Sequence, residues 1–125
     1  MMKLINLTQH KINKEQVDDL LAHGIEVIDC EPQPHVQANI TFNDLPSSEL
    51  LRKRAFVVAE IANLQGANYA LVGGAGYFMR HLEDELLARG IVPLHAFTMR
   101  EVVETVKDGE TIKTAVFKHK GFIGL

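Results

Sequence analysis

Apolar positions along the chain come as short unbroken runs and as longer stripes at helical spacing, and the two kinds alternate. Lys3-Leu4-Ile5-Asn6-Leu7 reads as a short buried strand. Asn13 suits a helix N-cap, because its side chain can accept from a first-turn amide, and Gln16 three residues on completes a capping box. Val17, Leu20 and Leu21 follow at helical spacing, and Gly24 suits the left-handed position just past a helix end. Ile25-Glu26-Val27-Ile28-Asp29 is the second strand.

Residues 30–46 break the rhythm. Pro32, Pro34 and Pro46 interrupt both helix and strand ladders, so the segment reads as a long loop or an interface arm. Asn39-Ile40-Thr41-Phe42 is the one stretch in it that suits a short edge strand or a packed arm.

Regularity then returns. Ser47 or Asp44 caps a helix whose Leu51, Ala55, Val58, Ala59 and Ala62 form one stripe, closed by Gly66. Tyr69-Ala70-Leu71-Val72 has no polar alternation, the mark of a central strand covered on both faces. Gly73-Gly74-Ala75-Gly76 turns the chain into a third helix with Phe78, Met79, Leu82 and Leu86 on its apolar side and Gly90 behind it. Ile91–Phe97 is the fourth strand. Val102–Val106 and Thr111–Phe117 flank Asp108-Gly109, a strong hairpin signal. The order is β-α-β-α-β-α-β plus a C-terminal β-hairpin. It defines an α/β chain with a mostly parallel sheet, helices on both faces and right-handed crossovers, in one domain over 1–125.

Composition narrows the function classes. At 125 residues and 46% hydrophobic, the chain can bury a core without staples. One cysteine, Cys30, rules out an internal disulfide framework and reads as a small buried hydrophobe. No signal peptide and no apolar run of membrane length is visible, so a cytoplasmic location without a membrane is expected. A formal net charge of -3 offers no global field for duplex DNA or other nucleic acid. A small anionic ligand needs only a few local donors.

In open parallel sheets, ligands sit outside the carboxyl ends of the strands. That rule gathers Thr8-Gln9-His10 after strand one, Gly73-Gly74-Ala75-Gly76 after strand three, and Thr98 with Arg100 after strand four. The glycines let backbone amides approach an anion at a helix N-terminus, or they simply make a tight turn. His10 is a candidate general acid or base, or an exposed loop histidine. Arg100 can clamp a phosphate bidentately, or pair with Glu101 or Glu104 at the surface. Thr8 and Thr98 offer hydroxyls. Lys118-His119-Lys120 can touch phosphate or ribose, or can guard an edge strand against aggregation. His81 and Glu85 share a helix face, but with His95 they lack any metal-ligand pattern, so no metal and no cofactor are expected.

The strand-then-histidine opening of Asn6–His10 resembles small CARF-like proteins attached to type III CRISPR systems. The closing run His95–Glu104, then Asp108-Gly109, then Val116–Phe122, is similar to the final hairpin of that family, and the glycine turn fits too. The resemblance implies a Rossmann-like (CARF-like) fold and a homodimer enclosing a cyclic oligoadenylate messenger, cyclic tetra-adenylate first among them. It implies a metal-independent ring nuclease that switches off an antiviral defence signal, for the host or for a virus, in which a ribose 2′-hydroxyl attacks the adjacent phosphorus. His10 matches the early histidine, Arg100 the basic position after the fourth strand, and His119 a closing-hairpin histidine. Relatives that bind the messenger without cleaving it give a second expectation, a sensor or sponge. A generic small-nucleotide protein is a third.

Overall fold

A computed structural model describes residues 1–125. The elements are β1 (Met2–Asn6), α1 (Lys14–Ala22), β2 (Ile25–Val27), α2 (Pro34–Ile40), α3 (Ser48–Leu64), β3 (Tyr69–Val72), α4 (Gly76–Ala88), β4 (Val92–Lys107) and β5 (Glu110–Ile123). The sheet order is β2-β1-β3-β4-β5. All pairings are parallel except β4 with β5. This is the mostly parallel α/β sheet that the alternation of elements implies.

The apolar strand runs are buried on both sides, and their alternation sorts the core in two. Ile5, Leu7, Ala70 and Val72 face Val36 of α2 and the stripes of α3 and α4. Leu4, Leu71 and Leu94 face the other way, against Ile12 and Leu20. One face is therefore covered by three helices and the other by α1, whose only fully buried side chain is Leu20. Asn13 and Gln16 make the capping box, each side chain bonding the other's backbone amide. Ser47, not Asp44, caps α3 by accepting from Leu50 N at 3.1 Å. Across α3 and α4, Arg89 bonds Glu60 and Glu85 at 2.7 Å and lies over the Phe56 ring.

Two expectations are corrected. The segment 30–46 contains the helix α2, and Asn39–Phe42 is not a strand. Pro34 stands in the first turn, where its fixed φ favours a helix and its missing N–H is not needed. The second correction concerns the chain after Phe97. β4 does not stop there but runs unbroken to Lys107, and β5 runs on to Ile123. The antiparallel ladder continues through Thr98–Glu101, with a register shift at Phe97/Thr98 that absorbs one extra residue on β5. β3 is spent as a neighbour at His95, so the rest of β4 and β5 projects as a two-stranded ribbon.

Candidate functional site

From β1 the chain passes to β2 on one side, then crosses to β3 on the other. The connections leaving the paired strands β1 and β3 therefore run to opposite faces, through α1 and α4, which makes their carboxyl ends a topological switch point, where open α/β sheets place their ligands. A cavity of about 380 Å³ lies there. Thr8, Gln9, His10, Gly73, Gly74 and Thr98 line it, as the strand-end rule expects. Lys11, Gln16 and His95 line it too and were not foreseen as part of this site.

The loop that carries His10 hangs on one buried side chain. Asn6 is fully buried at the end of β1. Its Oδ1 accepts from the Thr8 amide at 3.0 Å and from the Thr8 hydroxyl at 2.7 Å. Its Nδ2 donates to the carbonyl oxygens of His10 at 2.8 Å and Cys30 at 3.2 Å. The His10 amide in turn donates to Thr8 Oγ1 at 3.2 Å. Gln37 of α2 adds a bond from its Nε2 to the Thr8 carbonyl at 2.7 Å. The Thr8 hydroxyl is thus spent on loop shape. The His10 side chain is exposed, and only its backbone is tied.

Gly74 has φ +135°, which side-chain-bearing residues rarely adopt. Gly73 is less constrained, since a Cβ there would meet Thr8 Cγ2 at an ordinary 3.6 Å, and Gly76 opens onto empty space. Ala75 occupies the N-cap of α4 and supplies no side-chain cap. Phe78 N already donates to the Ala75 carbonyl at 3.0 Å, which leaves the Gly76 and Tyr77 amides as the open donors at this end of α4.

The charge of the cavity wall is one-sided. Its ionisable side chains are His10, Lys11 and His95, and no carboxylate lines it. Lys11 Nζ lies 3.1 Å from Glu31, an exposed pair that costs little to part. His95 Nε2 pairs with Glu83 Oε1 at 2.6 Å, so a carboxylate fixes the orientation of that ring.

A second cavity of about 260 Å³ shares Gln9, Gly73 and Gly74 with the first. Its wall is more apolar, with Phe42, Tyr77, Phe78 and Met79, and Ala75 belongs to it rather than to the first. Phe42 packs edge-on against Tyr77 and Phe78, and Arg54 covers one of its faces at 4.8 Å. The segment 30–46 thus builds a wall of the site.

Four expected residues stand elsewhere. Arg100 and Lys118 are exposed on the ribbon, outside the cavity. The continued ladder carries them there. His119 turns to the α1 side. Its Nε2 pairs with Asp19 Oδ2 at 2.8 Å, its ring tilts on Phe122, and its Nδ1 is buried without a partner. Within one chain it joins β5 to α1 and does not reach the cavity. Gly76 begins α4 and lines neither cavity. Of the residues weighed for metal, Glu85 is held by Arg89 and His95 by Glu83, and no cluster of three or more His, Cys, Asp or Glu is placed to hold an ion.

Fold and site together define an α/β protein with a cavity at the switch point of its sheet, lined by His10, Lys11 and His95 and by no carboxylate. The chain belongs to the family described as the uncharacterized protein MJ1673 family, whose model matches residues 2–123. No curated protein and no solved structure matches it. No helix is long and apolar enough to cross a membrane.

Proposed function

We propose that this protein binds and cleaves a cyclic oligoadenylate, cyclic tetra-adenylate first among candidates, as a metal-independent ring nuclease working as a homodimer. The observation that carries this reading is the cavity wall. It joins His10, Lys11 and His95 to the Gly73-Gly74 turn and holds no carboxylate, in a chain of net charge -3. Such a wall favours a phosphate over a cation. At about 380 Å³ the cavity is near the lower end of the roughly 300–1,000 Å³ of small-molecule sites. One chain then holds part of a four-nucleotide ring, and a second copy holds the rest. The aromatic second cavity, reached across the glycine turn, suits the base attached to that phosphate.

In the proposed reaction the ribose 2′-hydroxyl attacks the adjacent phosphorus in line. The P–O5′ bond breaks, leaving a 2′,3′-cyclic phosphate and a free 5′-hydroxyl. One imidazole takes the 2′ proton and a second returns a proton to O5′, with His10 and His95 as the pair at hand. Lys11 and the amides of the glycine turn steady the charge on the phosphorane. Arg100, proposed for that task from its place in the sequence, lies outside the cavity of its own chain, and Lys11 takes the role.

One observation favours the binding-only reading. The His10 ring carries no protein hydrogen bond that would orient it, whereas catalytic bases usually have such a partner. Incubation with radiolabelled cyclic tetra-adenylate in the presence of EDTA separates the readings. Linear products ending in a 2′,3′-cyclic phosphate support cleavage. Tight binding of an intact ring leaves the sensor or sponge. No binding of any cyclic oligoadenylate ends both and leaves a generic small-nucleotide site.

A further inference from the structure

Half of the large hydrophobic side chains exposed anywhere on the chain stand on β4 and β5. These two strands hold 16 and 14 of the 125 residues, so the concentration is local. Beyond His95 neither strand has any other strand as a neighbour, and only the base of β5, at His119 and Phe122, touches α1 and the core beneath it. A two-stranded ribbon alone in water is marginally stable at best. Yet this one continues for ten more register pairs past Phe97, from Thr98↔His119 to Lys107↔Glu110.

Residues opposite one another in the ladder share a face, and each face carries exposed apolar side chains among its charged ones. His95 and its pairing with Glu83 set the α4 side, which carries Phe97 at 47%, Met99 at 50%, Val103 at 42% and Ile112 at 43% exposure. His119 and its pairing with Asp19 set the α1 side, which carries Val102, Val106 and Phe117 at 60% or more.

We propose that the β4–β5 ribbon is an arm that clasps a second copy of this chain about a two-fold axis. Charge selects the partner. Glu104 pairs with Lys113 at 3.6 Å and Glu101 with Lys120 at 3.0 Å across the ladder. That leaves Arg100, Lys107 and Lys118 against Asp108 and Glu110. A nearly balanced ribbon has no field to draw a nucleic acid or an anionic membrane surface. It meets its own copy without net like-charge repulsion. Area agrees with this choice. From Phe97 to Lys107 at about 3.3 Å per residue the ribbon is ~35 Å long, and two strands make it ~10 Å wide. Its two faces offer on the order of 700 Å², near the ~800 Å² per partner of a stable interface. Both ribbon edges also carry open backbone groups, because β5 ends the sheet and β4 has lost β3.

Sedimentation equilibrium of the full chain without ligand tests this, at concentrations from about 1 to about 100 µM. A dimer is expected, together with a dissociation constant raised at least about 100-fold by Met99→Lys with Val103→Lys, and likewise by Val102→Lys with Phe117→Lys. A wild-type monomer throughout the range overturns the proposal, as does a dimer indifferent to both pairs of substitutions, or an open-ended assembly. Should the substituted chains not fold, hydrogen exchange on the wild-type chain decides. Ribbon amides that slow as protein concentration rises support the arm, and concentration-independent fast exchange overturns it. The measurement uses no nucleotide, so failure of the ring-nuclease reading leaves it standing. A dimer formed through another face overturns the arm alone.

Discussion

The side-chain amide of Asn6 donates to the carbonyl oxygen of His10 at 2.8 Å, so a residue buried at the end of β1 sets the course of the loop that presents His10. The same amide group satisfies Cys30, and its oxygen satisfies Thr8 twice. Asn6→Ala removes the hub and leaves several buried groups without partners. Urea unfolding is expected to show a loss of about 2–4 kcal/mol. Titration with cyclic tetra-adenylate should show at least about tenfold weaker binding, because ordering of the loop then falls on the ligand. Unchanged stability would remove Asn6 from this role.

The histidines and the lysine of the cavity are expected to separate by kinetics. His10→Ala and His95→Ala should each lower the rate of ring cleavage about 10²–10⁴-fold with little change in affinity, if both move protons. Lys11→Ala should weaken affinity and flatten its salt dependence. Arg100→Ala should leave both rate and affinity unchanged. Single-turnover cleavage and filter binding read the two quantities apart. Equal loss of rate and affinity at His10 would make it a binding residue only.

The glycine turn carries its own internal control. Gly74→Ala forces a side chain onto φ +135° and should cost about 1–3 kcal/mol. Gly76→Ala meets nothing within 4 Å and should be neutral or mildly stabilising. Thermal or urea unfolding of the two variants checks the contrast. Equal effects would mean that the turn does not depend on the backbone freedom of Gly74.

Arg89 locks α3 to α4. Its neighbour Glu85, by hydrogen bonding, and Glu60 hold the guanidinium pKa above its already high ordinary value, against the opposing effect of burial. A raised pKa means that its stabilising charge is fully present below the unfolded value and is lost only as pH rises through the folded one, beyond any working pH. Arg89→Met is therefore expected to lower stability by about 1–3 kcal/mol, undiminished through mildly alkaline pH. Unfolding curves of wild type and variant at pH values near 7 and near 9 check the expectation, and a difference that shrinks between them would count against it.

Strand runs such as Tyr69–Val72 and stripes such as Leu51–Ala62 were legible because burial imposes their periodicity directly. Pro34 misled, since a proline that breaks a helix from within also starts one at its first turn, and sequence position alone does not say which. Thr98-Met99-Arg100-Glu101 reads as a loop by its polarity. In the structure the alternation of Phe97, Met99 and Val103 on one face continues through it. The strand-end rule located the cavity because topology, not side-chain detail, decides where ligands sit in such sheets. Asn6 was not legible as a hub, because its bonds to His10 and Cys30 depend on how two loops meet. His119 carries the same lesson in reverse. A histidine between two lysines looks available, yet the register of β5 turns it toward Asp19, a hundred positions away in sequence.

β4 supplies His95, Ala96 and Thr98 to the cavity and then, without interruption, becomes one strand of the ribbon. The proposed ligand site and the proposed dimer arm thus share one continuous strand, and any coupling between them is reciprocal. If filling the cavity tightens subunit association by some factor, association must tighten ligand binding by that same factor. Protein concentration then becomes a setting of ligand affinity, and dilution alone weakens the grip on the ligand.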